Sequence, residues 1–280
     1  MEWGLSPSQT KHKHMMNLQL QIRRATMLGM LLLGIAITAN AQRQRSKAVK
    51  KQVPVLGRHV ITTAEDLFVA DLLRKMTLEE KVGQLSQYVG GSLLTGPKSG
   101  ALSDSLMARG MVGSILNVGG VDNLRKLQEK NMRLSRLKIP LIFGFDVVHG
   151  YKTIFPTPLA ESCSWDLDLM YRTAKAAAIE ASASGIHWTF APMVDLARDP
   201  RWGRIVEGAG EDPFLGCKVA EARVKGFQWN LGKPNSVLAC AKHFAAYGAP
   251  QAGRDYAPVD ISPATLAEMY LPPFKACIDA

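Results

Sequence analysis

The 280-residue sequence predicts an α/β fold: a (β/α)8 TIM-barrel-like domain, incomplete, with about the first half of the barrel present. Two patterns lead there. Short runs that are apolar along their whole length alternate with helical stretches, as expected of a parallel sheet covered on both faces. Polar residues then gather where those runs end, and barrels of this architecture build their sites at the C-terminal ends of their strands. A full barrel takes about 250 residues and eight units, whereas four units are legible here. A complete Rossmann or flavodoxin-like sheet is the competing reading, weakened because no strand is followed by GxGxxG.

Residues 1–41 precede the domain and read as a secretory signal peptide with an N-terminal extension. Arg23 and Arg24 are followed by an apolar run over residues 27–37 and by Ala39-Asn40-Ala41, a small-x-small cleavage site before Gln42. The run falls short of the roughly 20 apolar residues that a bilayer span needs. No stable membrane insertion is therefore expected after cleavage, and the protein is expected to be periplasmic or secreted. Met15 or Met16 is an alternative start, and an uncleaved anchor the alternative fate. Residues 42–61 are basic and polar, with Pro54 and Gly57, and read as a linker. Residues 1–51 carry nine Lys or Arg and one acid, Glu2, so they hold +8 of the net charge of +10. The remainder is nearly neutral, which argues against a basic nucleic-acid face.

Within residues 62–280 the elements come in order. Thr62-Thr63-Ala64-Glu65 reads as a capping box opening a helix to about Lys75. Thr77-Leu78-Glu79-Glu80 opens another, to about Tyr88. Residues 90–103, rich in Gly, Ser and Pro, form a loop. Strands follow at 112–118, 140–146, 187–193 and 237–243, separated by helices over about 121–137, 167–184 and 214–228. Ser262-Pro263 opens a last helix, which Pro272-Pro273 must interrupt or kink.

Four cysteines occur, Cys163, Cys217, Cys240 and Cys277, none in CxxC spacing. An exported protein could pair them in three ways, but buried thiols are the simpler reading. The histidines form no zinc ligand set, and neither metal nor cofactor is indicated.

The strand ends carry the chemistry. The second strand ends Phe145-Asp146-Val147-Val148-His149-Gly150. Asp195 and then Arg198-Asp199-Pro200-Arg201-Trp202-Gly203-Arg204 follow the third, and the fourth ends Lys242-His243-Phe244. An ionised Asp accepts from two hydroxyls while Arg and Lys donate to oxygens, so the set suits a polyhydroxylated ligand. Trp188 and Trp202 offer faces for a ring. A regular strand would send the adjacent Lys242 and His243 to opposite faces. Either the backbone is irregular there, or only one of them faces the mouth.

These stretches resemble glycoside hydrolase family 3. The likeness is carried by Gly144-Phe145-Asp146-Val147-Val148-His149-Gly150, by Phe190-Ala191-Pro192 with Asp199-Pro200-Arg201-Trp202-Gly203-Arg204 and Glu211-Asp212-Pro213, and by Ala241-Lys242-His243-Phe244. Thr77-Leu78-Glu79-Glu80-Lys81-Val82-Gly83-Gln84 and Tyr270-Leu271-Pro272-Pro273-Phe274 extend it, in family order, over about residues 65–280. The resemblance implies retaining hydrolysis of β-linked sugars from the non-reducing end, the partner being a β-linked oligosaccharide or aryl glucoside. It implies that Asp146, Arg204, Lys242 and His243 bind glycone hydroxyls and are not themselves catalytic. It also implies an aspartate nucleophile on a later strand and a glutamate acid/base from a following domain.

A retaining mechanism needs two carboxyls about 5–5.5 Å apart. The family's Ser-Asp-Trp-like nucleophile segment does not occur before Ala280, so a fragment, inactive alone, is expected. The loop from Ala245 to Tyr256 lacks the Ser-His of the family's β-N-acetylglucosaminidase branch, which favours the β-glucosidase or β-xylosidase side.

Each rim residue also has a structural reading. Asp146 could fix a loop, and Arg204 could pair with Glu207 or Glu211. Arg201 and His149 read as structural, Glu211-Asp212-Pro213 as a helix cap, Trp188 as core, and Asp195 has no assigned role. For the whole chain the alternative is a non-catalytic sugar-binding fragment or a pseudogene product. A phosphate-handling barrel is disfavoured, because its Gly-rich loop belongs after strands seven and eight.

Overall fold

The computed structural model describes residues 55–56, 59–60, 63–90 and 102–280. The signal segment and most of the linker lie outside the described residues. The chain divides into two units, Met1–Asp71 and Leu72–Ala280.

In the first unit, β1 (Val55–Leu56) and β2 (His59–Val60) pair antiparallel, with Val55 opposite Val60. The pair falls in the segment read as linker, and its Val and Leu residues suit a strand better than a solvated tether. The helix that follows, α1 (Ala64–Lys75), begins one residue later than the Thr62 box implies. Thr63 Oγ1 accepts from the Asp66 amide and Asp66 Oδ2 from the Thr63 amide, both at 3.1 Å. Two adjacent threonines each stand three residues before an acid, so the pattern fitted either register.

In the second unit, α2 (Leu78–Gly83) carries the expected capping box between Thr77 and Glu80. It stops short of Tyr88, because β3 (Gln87–Val89) is a strand. Tyr88 and Val89 lie beside Ile115 and Leu116 of β4 (Ser114–Leu116), and that pairing overrides helix continuation. β5 (Ile142–Phe145) and β6 (Trp188–Thr189) complete a four-stranded sheet in the order β3-β4-β5-β6, all parallel. The run at 237–243 continues it through parallel bridges, Trp188 with Leu238 and Met193 with Lys242, rather than a full ladder. Each strand lies beside its predecessor with no reversal of order. That is how a barrel wall is laid down, and it removes the Rossmann-type alternative, whose order reverses at a switch point.

Helices α3 (Asp104–Ala108), α4 (Val121–Leu134), α5 (Pro158–Ser162), α6 (Leu167–Ala183) and α7 (Pro213–Phe227) connect the strands. Ala174, Ala177, Ala178 and Ala181 form a buried stripe on α6 at helical spacing and share one core with Ile115, Leu141, Phe143, Ile186, Phe227 and Val237. Gly226 lets α7 come close to α6: a Cβ there would sit 2.5 Å from the Tyr171 carbonyl oxygen and 2.7 Å from Ala174 Cβ. The terminal helix breaks as expected into α8 (Pro263–Thr265), a π turn (Leu266–Tyr270) and α9 (Pro272–Asp279), because Pro272 and Pro273 cannot donate to the ladder.

A buried ion pair ties the helices to the sheet. Arg223 of α7 donates to Glu161 of α5 at 2.6 Å and also to the Val148 carbonyl, on the loop that follows β5. Burial pushes the Arg223 pKa down, opposed by the Glu161 charge. The cysteines are free, and the burial expected of them is only partial: Cys163, at the exposed end of α5, is on the surface and the other three are intermediate. Among the described residues no helix is long and apolar enough to cross a membrane.

Candidate functional site

Asp146 stands just past the end of β5, and its two oxygens are held by different elements. Oδ1 accepts from Lys242 Nζ at 2.9 Å, and Oδ2 from Asn117 Nδ2 at 3.3 Å. Asn117 Oδ1 accepts in return from the Asp146 amide at 3.4 Å. Asn117 is buried immediately after β4 with φ of 57°, a left-handed conformation that Asn tolerates. The Asp146 side chain keeps 35% of its surface exposed while that of Lys242 keeps 13%, so the carboxylate is the open member of the pair.

Lys242 and His243 both turn to rim carboxylates. The His243 backbone amide and Nδ1 lie 2.9 and 2.8 Å from Asp195 Oδ2. The backbone is irregular here: bridges replace the ladder, and the peptide between Lys242 and His243 is cis. This settles the question that their adjacency raises in favour of irregularity. The Asp195 side chain is fully buried, and its Oδ1 has no partner among the described residues.

Arg204 meets Glu207 in a two-pronged ion pair, Nε to Oε1 at 2.7 Å and Nη2 to Oε2 at 2.8 Å, so Glu207 rather than Glu211 is its acid. Its guanidinium carbon lies 5.4 Å from the Tyr247 ring centroid. The Glu207 hydrogen bonds push the Arg204 pKa up. Burial pushes the Glu207 carboxyl up, but hydrogen bonds from Arg204 and the charges of Arg204, Lys242 and His243 outweigh it and hold it below its ordinary value. Glu207 therefore links Arg204 electrostatically to Lys242 and His243, while Lys242 bonds directly to Asp146. The four residues singled out from sequence share one charged network.

Trp202 does not offer the face expected of it. It is 1% exposed, and its indole N–H donates to Asp255 Oδ1 at 3.0 Å. The Tyr247 hydroxyl donates to the same oxygen at 2.5 Å. Burial, with Asp255 beside it, pushes that hydroxyl up to about 12. Trp188 is half-buried within β6, its ring tilted against Phe190 with centroids 4.6 Å apart, as a wall residue should be. The structural readings of three more groups agree with their contacts. Arg201 grips Asp199 and holds its carboxyl at about 2. His149 Nδ1 lies 2.9 Å from the Phe155 carbonyl oxygen. Asp212 caps α7 through the Leu215 amide.

Asn117, Glu207 and Tyr247 complete a network that began with four residues. Asn117 carried the same signal as Asp146, a polar residue closing an apolar strand. Tyr247 carried none, since its place depends on how the 244–256 loop folds back. Among the described residues no group of three or more His, Cys, Asp or Glu could hold a metal ion. Asp146, Asp195 and Glu207 each face a Lys, His or Arg, an arrangement suited to holding fixed acceptors and donors toward a polar ligand.

A sequentially ordered parallel wall with polar residues gathered at its mouth defines a protein of the (β/α)-barrel class. The chain belongs to glycosyl hydrolase family 3, matching that family's N-terminal domain over residues 77–280. It is 44% identical over 228 residues to a periplasmic β-glucosidase of Salmonella typhimurium, covering 81% of this chain and 29% of that protein. It is 32% identical to a putative β-xylosidase of Formosa agariphila, covering 74% of this chain and 30% of that one. Among solved structures, a β-glucosidase from Listeria innocua in complex with isofagomine superposes with a TM-score of 0.71 at 42% identity, over 78% of this chain and 31% of that chain. A mutant of that enzyme in complex with laminaribiose gives 0.70 at 40% identity, over 78% and 32%. The fold is thus the family's barrel domain in part, and the chain spans about 30% of the length of these relatives.

Proposed function

We propose that this chain is the glycone-holding part of an exported β-glucosidase-type hydrolase, which removes terminal non-reducing β-D-glucosyl or xylosyl residues with retention. The observation that carries this reading is the Asp146–Lys242 pair, braced by Asn117 at the mouth. Sugar hydroxyls leave water only if each finds a partner, and a buried polar group without one is costly. Asp146 is already desolvated on the Lys242 side and pinned by Asn117, so its free lone pairs are aimed before the sugar arrives. Lys242, His243 and Arg204 surround it with groups of complementary kind. Binding groups organised in advance add rate where their contacts tighten in the transition state.

The rim carboxylates are each held by a Lys, Arg or His partner, which suits them to orientation rather than proton transfer. The two reacting carboxyls of a retaining mechanism would come from outside residues 1–280. The name of the Salmonella relative supports a periplasmic location, as does the Arg23–Ala41 leader. Export through that leader predicts a mature N-terminus at Gln42, read by sequencing protein from the periplasmic fraction.

The functional test is Asp146→Ala in the full-length protein. Its kcat/KM on an aryl β-glucoside should fall by about 100-fold or more, since a site built to pair hydroxyls loses transition-state binding with its acceptor. An unchanged value removes Asp146 from the site. The commitment of every rim carboxylate also favours a second reading, sugar binding without turnover. Saturable sugar binding by pure protein that hydrolyses no glucoside would select it.

A further inference from the structure

We propose that Asp195 is a positioning residue: it fixes His243 as the Nδ1–H tautomer and presents Nε2 to the mouth as a hydrogen-bond acceptor. Asp195 follows β6, its side chain is fully buried, and it borders a small cavity lined by Met193, Val194, Leu196, Ala209 and Val219. Among the described residues no other side chain is bonded to it. Oδ2 takes the His243 amide at 2.9 Å and faces Nδ1 at 2.8 Å, while Oδ1 is unpartnered. An ionised carboxylate only accepts, so Oδ2 takes both N–H groups and donates to neither. Against a carboxylate Nδ1 must carry the proton, and in the neutral imidazole the lone pair is left on Nε2.

The backbone enforces the contact. The Val194 amide donates to the Lys242 carbonyl at 2.8 Å and the Lys242 amide to that of Pro192 at 3.2 Å, locking the two segments in register. Gly248 lets the following loop close over them, since a Cβ there would lie 2.2 Å from the Leu196 carbonyl oxygen. Tyr247 stands edge-on to the ring at 5.0 Å between centroids, and Glu207, bound to Arg204, senses the ring's charge only when the imidazole is protonated. The His243 side chain keeps 34% of its surface exposed and Asp195 none, so the accessible edge of the ring is the one away from Nδ1.

On the glycone-binding reading, on which this consequence rests, the mouth offers two acceptors, Asp146 and His243 Nε2, beside two donors, Lys242 and Arg204. The hydroxyl opposite His243 is then read as a donor.

Selective 15N labelling of the histidines in the full-length protein, with long-range proton–nitrogen correlation, tests the assignment. His243→Gln identifies the signal by its loss. The expected wild-type pattern has a protonated Nδ1 and a lone-pair Nε2, and the opposite tautomer overturns the proposal. Asp195→Asn should mix or invert the tautomers and lower kcat/KM on p-nitrophenyl β-D-glucoside by about 10-fold or more. That loss should shrink severalfold in a His243→Gln background. An equal loss in both backgrounds means that Asp195 acts through packing, and also overturns the proposal. If the Asn variant does not fold, the wild-type spectrum decides alone. The expected tautomer in a protein that turns over no glucoside supports the positioning role and sinks the glucosidase reading instead.

Discussion

Lys242 Nζ and Asp146 Oδ1 meet at 2.9 Å although 96 residues of chain separate them. Their contact joins the loop after β5 to the irregular segment that extends the sheet past β6. Removing either partner leaves the other charge partly desolvated and alone. Lys242→Met should lower kcat/KM on an aryl β-glucoside by about 10- to 100-fold, and Asp146→Asn by a similar factor. The double variant should fall well short of the product of the single effects, because both break one interaction. Independent, multiplicative losses in that cycle would mean that the two do not act as a pair.

Arg204 depends on a fork rather than on charge alone. Both of its prongs are taken by Glu207, and its flat face lies near Tyr247. Lysine keeps the charge but has neither the second prong nor the plane. Arg204→Lys should therefore raise KM or lower kcat/KM by about 10-fold with little change in thermal stability. Activity at the wild-type level would show that Arg204 serves the site only as a point charge.

Much of this was legible in the sequence, and the reasons differ by residue. The apolar runs around Ile115, Phe143 and Trp188 showed the strands because a sheet covered on both faces leaves no polar positions to blur the signal. Gln87–Val89 did not show, being three residues directly after a well-capped helix, and only the neighbour Ser114–Leu116 makes it a strand. Asp146, Arg204, Lys242 and His243 stood out as charged residues closing apolar runs or within a dense motif. Trp202 misled, because nothing local reveals that Asp255, 53 residues on, ties down its indole. Asp195 had no readable role, since its partner His243 is 48 residues away.

The Glu207 carboxyl gives a pH dependence with a definite sign. Its folded pKa lies below the ordinary value of 4.5. In the window between the two values the unfolded chain binds more protons than the folded one, so stability rises with pH there. The contribution is complete above about pH 4.5 and lost as pH falls through the depressed folded value. Glu207→Gln should therefore be less stable than wild type near neutral pH, with the difference in Tm closing as both are acidified. A Tm difference that stays constant down to pH 3 would assign the loss to packing and not to charge.

The Glu161–Arg223 pair reaches the loop that carries Asp146. Both side chains are almost fully buried, at 3% and 4% exposure, and Arg223 also holds the Val148 carbonyl, two residues past Asp146. Breaking a buried pair strands a charge in a medium that solvates it poorly, at a cost of about 3–5 kcal/mol. Arg223→Met should incur that cost, because among the described residues Glu161 Oε1 is already unpartnered and Oε2 has no ion-pair partner but Arg223. Glu161→Leu combined with Arg223→Met should recover much of the loss, since apolar replacements of similar volume remove the desolvation problem altogether. Urea midpoints on wild type and the two variants measure this directly. Activity should separate from stability: the double variant refolds the core but frees Val148, so its kcat/KM should stay below wild type even where its midpoint has returned. Full recovery of both would show that Arg223 stabilises the helices without steering the loop that carries Asp146.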